Sequence, residues 1–310
     1  LMPLYSSYNF CTLFNIAYAS RGIAMYESLR YHIKNFTLFI YAFDEDTYEL
    51  LASLDLESVI LVSLCDFENS RLLEAKKDRT IGEYCWTCTP SVIKHAIETF
   101  GLDHCTYIDA DLYFFSNPSI LVDELIGKSI LITEHRYTPK HDQTKTSGIY
   151  CVQFVTFKGD EFGMMALEWW VDACIEWCYA RCENGKFGDQ KYLDDWTTRF
   201  EGVHILQHLG GGVAPWNVQQ YVADMLGDNV VMVEKSSQYS FGLVFYHFHG
   251  LKLLSSDVVI ATYKEYDILP DIVEHIYKPY IVDLLDVSDK IKSIGNDFLM
   301  FDTMKNIIRS

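Results

Sequence analysis

Two aspartates, Asp109 and Asp111, directly follow a short apolar run in the segment Tyr-Ile-Asp-Ala-Asp-Leu-Tyr-Phe-Phe. Burying two like charges without compensation is very costly. At the end of a strand, however, their oxygens can bind a hard divalent cation such as Mn²⁺ or Mg²⁺, which also binds phosphate oxygens. The spacing therefore favours a metal site, and an ordinary acidic turn is the structural alternative.

Two histidines are candidates for a third metal ligand. The apolar segment Leu-Val-Phe-Tyr-His-Phe contains His247, and His249 follows two residues later. Either imidazole could serve, because side chains two residues apart in a strand share a face. Lys252 comes shortly afterwards, and its ammonium could neutralise a bound anion.

The elements that must position these residues alternate between apolar runs and helical periodicity. Strands are predicted at residues 8–13, 37–42, 59–64 and 106–109, as runs buried in a parallel sheet. Helices are predicted between them at 21–32, 44–54 and 90–100, with Pro90 in the first turn of the last one. This order implies right-handed crossovers and a site at the carboxyl ends of the strands, where Asp109 falls.

The second half of the chain is less regular. Strands are predicted at 130–133, 149–157, 230–233 and 243–248, and helices at 161–181 and 190–199. The expected fold is α/β, with a mixed, mostly parallel central sheet flanked by helices in residues 1–264. Residues 265–310 are predicted to form a mainly helical C-terminal extension.

Composition limits the kinds of partner. The chain has 310 residues, of which 49% are hydrophobic, and this is ample for a large α/β domain. Its net charge of −18 argues against a nucleic acid as the main partner, because binding a phosphate backbone needs a basic surface. The nine cysteines lack the spacing of a disulfide framework or a zinc ribbon, which favours a reducing cytosol. We expect no transmembrane segment, since no apolar stretch reaches the length of a membrane span.

Further short motifs follow one another in a characteristic order over about residues 8–252. They are Phe10-Cys11-Thr12, Thr146-Ser147-Gly148, Gly188-Asp189-Gln190, Pro215-Trp216-Asn217, and His247-Phe248-His249-Gly250 followed by Lys252. With these motifs the chain resembles metal-dependent glycosyltransferases of the GT-A fold. It is most similar to the retaining family of glycogenin and the bacterial lipopolysaccharide galactosyltransferases, as a distant branch.

The resemblance implies a role for each motif. It implies that Asp109, Asp111 and His247 bind the metal. It implies that Asp189 and Gln190 lie at the reaction centre, although both would also suit the start of a helix. Contacts to the nucleotide sugar are implied for Phe10, Cys11, Thr12, Ala110, Thr146, Ser147, Gly250 and Lys252.

The resemblance also implies the substrates. The donor would be a nucleotide-diphosphate sugar, by default a uridine diphosphate sugar. The acceptor would be a saccharide or a lipid-linked glycan, with which peripheral membrane contact is compatible. Residues 8–115 would bind nucleotide and metal, and residues 116–264 the donor sugar and acceptor. Transfer would retain the anomeric configuration, by front-face attack or through a transient covalent adduct.

Two departures from the family pattern indicate the distant branch. Thr146 stands where the family has asparagine, and Lys252 follows His247 by five residues rather than six. Two other functions are alternatives: a non-catalytic module that binds a nucleotide sugar or glycan, and a sugar-1-phosphate nucleotidyltransferase. The latter is disfavoured because its first strand is generally followed by a glycine-rich basic loop, and residues 11–21 contain no glycine.

Overall fold

A computed structural model describes residues 3–293 and Asp302 of the chain. The strands are β1 (Tyr8–Phe14), β2 (Phe36–Ala42), β3 (Val59–Val62), β4 (His104–Ile108), β5 (Leu112–Phe114), β6 (Ile130–Glu134), β7 (Tyr150–Lys158), β8 (Val203–Ile205), β9 (Tyr221–Leu226), β10 (Asn229–Glu234), β11 (Ser240–Gly242), β12 (Phe245–His247), β13 (Lys252–Ser255) and β14 (Val258–Ile260).

The helices lie mostly between these strands. They are α1 (Ala19–His32), α2 (Glu45–Leu54), α3 (Leu64–Phe67), α4 (Ser70–Lys76), α5 (Ile81–Phe100), α6 (Ser119–Val122), α7 (Thr144–Ser147), α8 (Glu161–Glu176), α9 (Trp196–Arg199), α10 (Pro270–Ile272) and α11 (Lys278–Ser293). A 3-10 segment, Gln190–Asp195, precedes α9, and a π-helical turn, Val273–Tyr277, joins α10 to α11. Within the described residues, none of the helices combines the length and the apolar character needed to span a membrane.

A seven-stranded mixed sheet forms the centre of the fold, in the order β3-β2-β1-β4-β7-β6-β8. The strands β3, β2, β1 and β4 pair in parallel, as do β6 and β8, and β7 runs antiparallel to both of its neighbours. One end of the sheet therefore collects the carboxyl ends of β1, β4 and β6 together with the amino end of β7. Motifs that are far apart in the sequence reach the same place because of this order.

The two faces of the sheet belong to two hydrophobic cores. On β1, Phe10 and Phe14 face one core, while Cys11 and Leu13 face the other. Helices α1, α2 and α11 cover the first core, and α5 and α8 cover the second. Because a one-residue slip would exchange the two sets of side chains, this alternation fixes the register of the strand.

The start of α5 differs from its predicted position. The prediction that Pro90 lies in the first turn is wrong, since α5 begins at Ile81 and Pro90 lies in its interior. A capping box sets the start: the Thr80 hydroxyl accepts from the Glu83 N–H, and the Glu83 carboxylate accepts from the Thr80 N–H at 2.9 Å. This cap and the buried face of the helix offset the roughly 3 kcal/mol that an interior proline costs.

Two other predicted elements need correction. The helix predicted to reach residue 181 ends at Glu176, because Trp177 adopts an extended backbone with φ −151° and ψ 118°. The strand predicted at 59–64 is not buried on both faces. It is β3, which ends at Val62 at the edge of the sheet and leaves Ile60 37% exposed.

The C-terminal helices pack onto the core beneath the sheet. Tyr280 of α11 stacks on Phe248 with ring centroids 3.8 Å apart, and the Tyr277 hydroxyl lies 3.2 Å from that of Tyr246. The predicted extension is therefore helical over most of its described part. Its other residues lie outside the described part of the chain, apart from Asp302, and the division at residue 264 stays a prediction.

We expect Gly163→Ala to destabilise the protein. A Cβ added at Gly163, in the first turn of α8, would lie 2.2 Å from the carbonyl oxygen of Lys158. Because that oxygen is backbone and cannot yield easily, the free energy of unfolding should fall by roughly 1–3 kcal/mol. Gly82→Ala in the first turn of α5 is the matched control, since beyond its chain neighbours and the backbone of its own helix no described atom lies within 4 Å of the added Cβ, and it should not lose stability. Urea unfolding measures both, and equal losses would contradict this explanation.

Candidate active site

A tight turn after β4 carries both aspartates. The Leu112 N–H donates to the Asp109 carbonyl at 3.2 Å, so β5 begins directly after Asp111. Strand β5 pairs antiparallel with β12, with Leu112 opposite His247. The Phe248 N–H donates to the Asp111 carbonyl at 3.0 Å and extends this pairing. The two short strands thus bring a distant histidine beside the aspartates.

Three side chains form a compact group of metal-ligating atoms. The Nε2 of His247 lies 3.1 Å from Oδ1 of Asp111 and 3.8 Å from Oδ2 of Asp109. One ligand atom from each residue lies within 4.8 Å of the other two. The His247 side chain is 6% exposed, whereas those of Asp109 and Asp111 are 29% and 15% exposed. Two carboxylates and one imidazole on a partly open face fit a divalent cation that also binds ligand oxygens.

The three groups shift one another's pKa. Burial raises the pKa of Asp109 to about 6, against the opposing charge of His247. Burial also acts to raise the pKa of Asp111, but contact with His247 outweighs it and lowers this pKa to about 2. Burial acts to lower the pKa of His247, yet the two aspartates raise it well above its ordinary value. A metal ion would therefore replace a proton held by this group.

Gln153 contacts the opposite side of the His247 ring. Its Oε1 lies 2.8 Å from Nδ1 of His247, and its backbone carbonyl accepts from the Asp109 N–H at 3.1 Å. The side chain is fully buried on β7. The motifs of the sequence do not include this residue, and its one signal is a single amide within the apolar run Tyr-Cys-Val-Gln-Phe-Val.

The loop before β9 supports His247 from behind. The Val213 carbonyl accepts from the His247 N–H at 3.0 Å. The Trp216 ring meets the imidazole edge to face, with ring centroids 5.3 Å apart. The Asn217 side-chain amide donates to the Gly212 carbonyl at 2.8 Å and closes the loop. The Pro-Trp-Asn motif therefore contributes to the position of the histidine.

His249 occupies a different environment from His247. Its ring centroid lies 5.1 Å from that of Tyr263 and 5.5 Å from that of Trp216. Burial and the neighbouring His247 lower its pKa to about 4, and the charge of Lys252 contributes to the lowering. Within the described chain, the group of ligand atoms around the aspartates includes His247 and does not include His249.

Gly250 makes the turn that leads from His247 to Lys252. Its φ of +77° lies in the left-handed region, which favours glycine. A Cβ added there would lie 2.6 Å from the ring of Tyr263. Glycine at this position is therefore required by the fold, whether or not its backbone also contacts a ligand.

Asp189 is buried and lies close enough to Asp109 for their charges to interact. Burial, together with the charge of Asp109, raises the pKa of Asp189 to about 7. The Trp170 indole N–H donates to the Asp189 carbonyl at 2.9 Å and fixes its backbone. Asp189 makes no side-chain capping bond to the 3-10 segment that follows it. Hydrogen bonds from the Thr89 hydroxyl and the Gln190 N–H act against burial and lower the pKa of Asp189.

The Thr-Ser-Gly loop is tied to the segment that follows Asp189. The Gln190 amide donates to the Ser147 carbonyl at 2.8 Å. Gly148 adopts a φ of +95°, and a Cβ there would lie 2.8 Å from the carboxylate of Asp194. Thr146 is exposed at the end of α7. The structure therefore brings these two motifs together at the amino end of β7.

The residues of the first strand are deeply buried. The side chains of Phe10 and Cys11 are 0% exposed in the two cores, and their backbone pairs with β2 on one side and β4 on the other. Thr12 is also buried, and its hydroxyl has no hydrogen-bond partner among the described residues. Ala110, in the turn between the aspartates, is 7% exposed. Among the buried side-chain oxygens and nitrogens of β1, the Thr12 hydroxyl alone lacks a partner within the described residues.

Arg21 is a buried cation that the motifs of the sequence do not include. Its guanidinium donates to the Leu251 carbonyl at 3.1 Å and pairs with Asp302 at 2.7 Å. Its charge also lowers the pKa of Asp111, although burial and His247 have larger effects on that pKa. The sequence shows this residue only at the edge of a helical stretch, with no signal for the direction that it faces.

Two curated proteins are similar to the chain over most of its length. The uncharacterized protein YfnD of Bacillus subtilis (strain 168) is 31% identical over 307 residues, which cover 94% of each chain. The uncharacterized protein YfnF of the same strain is 31% identical over 254 residues, covering 79% of this chain and 82% of that protein. The chain belongs to the family of YfnD and YfnF. No protein-family model matches it.

Solved glycosyltransferase structures share the fold. An active-site mutant of LgtC matches with a TM-score of 0.53 at 7% identity, covering 91% of this chain and 95% of that chain. The glycosyltransferase GlyE of Streptococcus pneumoniae TIGR4 matches with a TM-score of 0.52 at 11% identity, covering 93% of this chain and 64% of that chain. The predicted α/β GT-A fold, with its mixed, mostly parallel sheet, is confirmed.

Mn²⁺ should bind more tightly as the pH rises from about 5 to about 8. Asp109, with a pKa of about 6, must ionise and His247 must lose a proton before both can act as ligands. Protons that compete with the metal are therefore lost over this interval, and binding should release protons. Titration calorimetry in buffers of different ionisation enthalpy measures the affinity and the proton release. An affinity independent of pH would contradict this assignment of ligands.

Proposed function

We propose that the protein is a metal-dependent glycosyltransferase. It moves a hexose from a nucleotide-diphosphate donor, by default a uridine diphosphate sugar, to a saccharide or lipid-linked glycan with retention of configuration. The observation that carries the proposal is the group of Asp109, Asp111 and His247 at the carboxyl edge of a GT-A sheet. The same fold in GlyE, which is named a glycosyltransferase, supports the reaction class.

In this proposal Asp109, Asp111 and His247 hold Mn²⁺ or Mg²⁺. Such a cation supplies positive charge that stabilises the oxygens of the departing diphosphate. A chain of net charge −18 needs that compensation to bind a dianionic ligand. Lys252 adds to it, because its ammonium forms no ion pair within the described residues and its charge acts on His249, two residues from His247. The Thr12 hydroxyl, near the carboxyl end of β1, contacts the nucleotide.

In this proposal, Asp189 and Gln190 lie at the reaction centre. A buried carboxylate can stabilise positive charge at the anomeric carbon in a front-face reaction, or attack that carbon to form a transient adduct. The NH₂ group of Gln190 is used on the Ser147 carbonyl, which leaves its amide oxygen to accept from a sugar hydroxyl. Backbone and hydroxyl groups of Thr146 and Ser147, and the backbone of Gly250, complete the contacts to the donor.

Hydrolysis of the donor, with water as the acceptor, should depend on a divalent cation. We expect release of UDP from a panel of UDP-sugars in Mn²⁺, and release at least about 100-fold slower in EDTA, because the leaving diphosphate loses its compensating charge. Chromatography of the nucleotide products measures both rates, and fresh Mn²⁺ should restore activity. Equal rates in Mn²⁺ and in EDTA would show that the reaction does not need a divalent cation.

Substitution of two aspartates should separate binding from reaction. Asp111→Asn removes a metal ligand, so it should weaken Mn²⁺ binding, UDP binding and transfer together. Asp189→Asn should change both affinities far less, because Asp189 is not a metal ligand, but lower turnover by at least about 100-fold. Asp224→Asn, an exposed site on β9, is the control and should change none of these.

Two results would contradict these assignments. Full turnover by Asp189→Asn would exclude that residue from the reaction centre. Binding of UDP and Mn²⁺ by the wild-type chain without turnover on any donor would favour the non-catalytic alternative, in which the same site recognises a nucleotide sugar and releases it unchanged.

A further inference from the structure

Gln153 joins two separate parts of the metal cluster. Its backbone carbonyl accepts from the Asp109 N–H at 3.1 Å, at the end of β4. Its side-chain Oε1 lies 2.8 Å from Nδ1 of His247, at the end of β12. The side chain is 0% exposed, so water does not compete for this contact. A single residue of β7 therefore fixes both an aspartate and the histidine.

The contact with Gln153 determines which nitrogen of the His247 ring carries the hydrogen. The Nε2 of His247 faces Asp111 and Asp109, so Nδ1 must carry the hydrogen whenever Nε2 binds a metal. An amide oxygen accepts that hydrogen, whereas an NH₂ group at the same place would need a lone pair on Nδ1 and a proton on Nε2. The Cys151 thiol also acts on His247 and raises the pKa of the imidazole, but sulfur is a weaker hydrogen-bond acceptor than an amide oxygen.

The other end of the same amide lacks a partner. The Nε2 of Gln153 is buried and forms no hydrogen bond within the described chain. A Cβ added at Gly212 would lie 3.4 Å from this nitrogen and 3.3 Å from Nη2 of Arg136, so little space surrounds it. A buried donor without a partner lowers stability. A leucine of similar size would remove that cost, so stability does not explain a glutamine here.

We infer that Gln153 is a positioning residue for the metal. It holds Nδ1–H of His247 and thereby points the lone pair of Nε2 toward the cation between Asp109 and Asp111. The inference rests on the proposed function, because it requires a divalent cation at this site. It adds a residue that acts through the histidine and does not itself touch the cation.

The test measures the affinity for Mn²⁺ alone, and for Mn²⁺ with UDP present, from the electron paramagnetic resonance of free Mn²⁺. Gln153→Leu keeps the volume but removes the acceptor, and should weaken binding by about 10–100-fold. Gln153→Glu keeps an acceptor oxygen and should stay within about threefold of the wild type. Gln153→Met is a second apolar variant that serves if the leucine variant does not fold.

Thr156→Val is the matched control. Thr156 is also buried on β7, but its hydroxyl lies 2.9 Å from the hydroxyl of Thr106 on the neighbouring strand β4. Its replacement should therefore leave the Mn²⁺ affinity unchanged. Folded Leu and Met variants with wild-type affinity would overturn the inference, as would a Glu variant as weak as the leucine variant. In those cases the wild-type chain still binds Mn²⁺ and the proposed function stands. A wild-type chain that binds neither Mn²⁺ nor Mg²⁺ would overturn the proposed function itself.

Discussion

The pairing of β5 with β12 is the interaction on which the site depends. Strands of three residues are marginal alone. Here Phe245 stacks on Phe154 of the central sheet with ring centroids 5.4 Å apart, and meets Phe114 edge to face at 6.0 Å. This packing holds the register, and the register places His247 beside Asp111. A slip by one residue would turn the imidazole to the other face and leave the carboxylates without their nearest positive charge.

The charge of the protein gives that imidazole its importance. A chain of net charge −18 places two partly buried carboxylates in one turn, and their pKa values shift in opposite directions because His247 contacts Asp111 more closely than Asp109. Arg21 adds positive charge from a buried position. One proton partly neutralises the two carboxylates. A divalent cation in place of that proton would neutralise more of their negative charge.

Local patterns predict much of this architecture. Apolar runs give β1, β2 and β4, and the paired aspartates mark the end of β4 because an acidic pair after a buried strand needs compensation. Long-range pairing is harder to predict. Nothing in the spacing places β7 between β4 and β6, so the contact of Gln153 with His247 lies beyond sequence reasoning. The burial of Phe10 and Cys11 in opposite cores likewise depends on which helices cover each face. The start of α5 could have been found, since Thr80 and Glu83 have capping-box spacing.

The direction of β7 explains how these remote parts form one site. Among the seven strands of the central sheet, β7 alone runs antiparallel to the others. Its amino end therefore lies beside the carboxyl end of β4, where the two aspartates follow. The Ser147 carbonyl there accepts from Gln190, and Gln153 further along holds His247. Near its carboxyl end, Phe157 stacks on Trp170 with ring centroids 6.0 Å apart, and Trp170 fixes the backbone of Asp189. One strand thus supports the Thr-Ser-Gly loop, the histidine and the buried carboxylate, so the distances among them are set by a rigid element rather than by the loops that carry them.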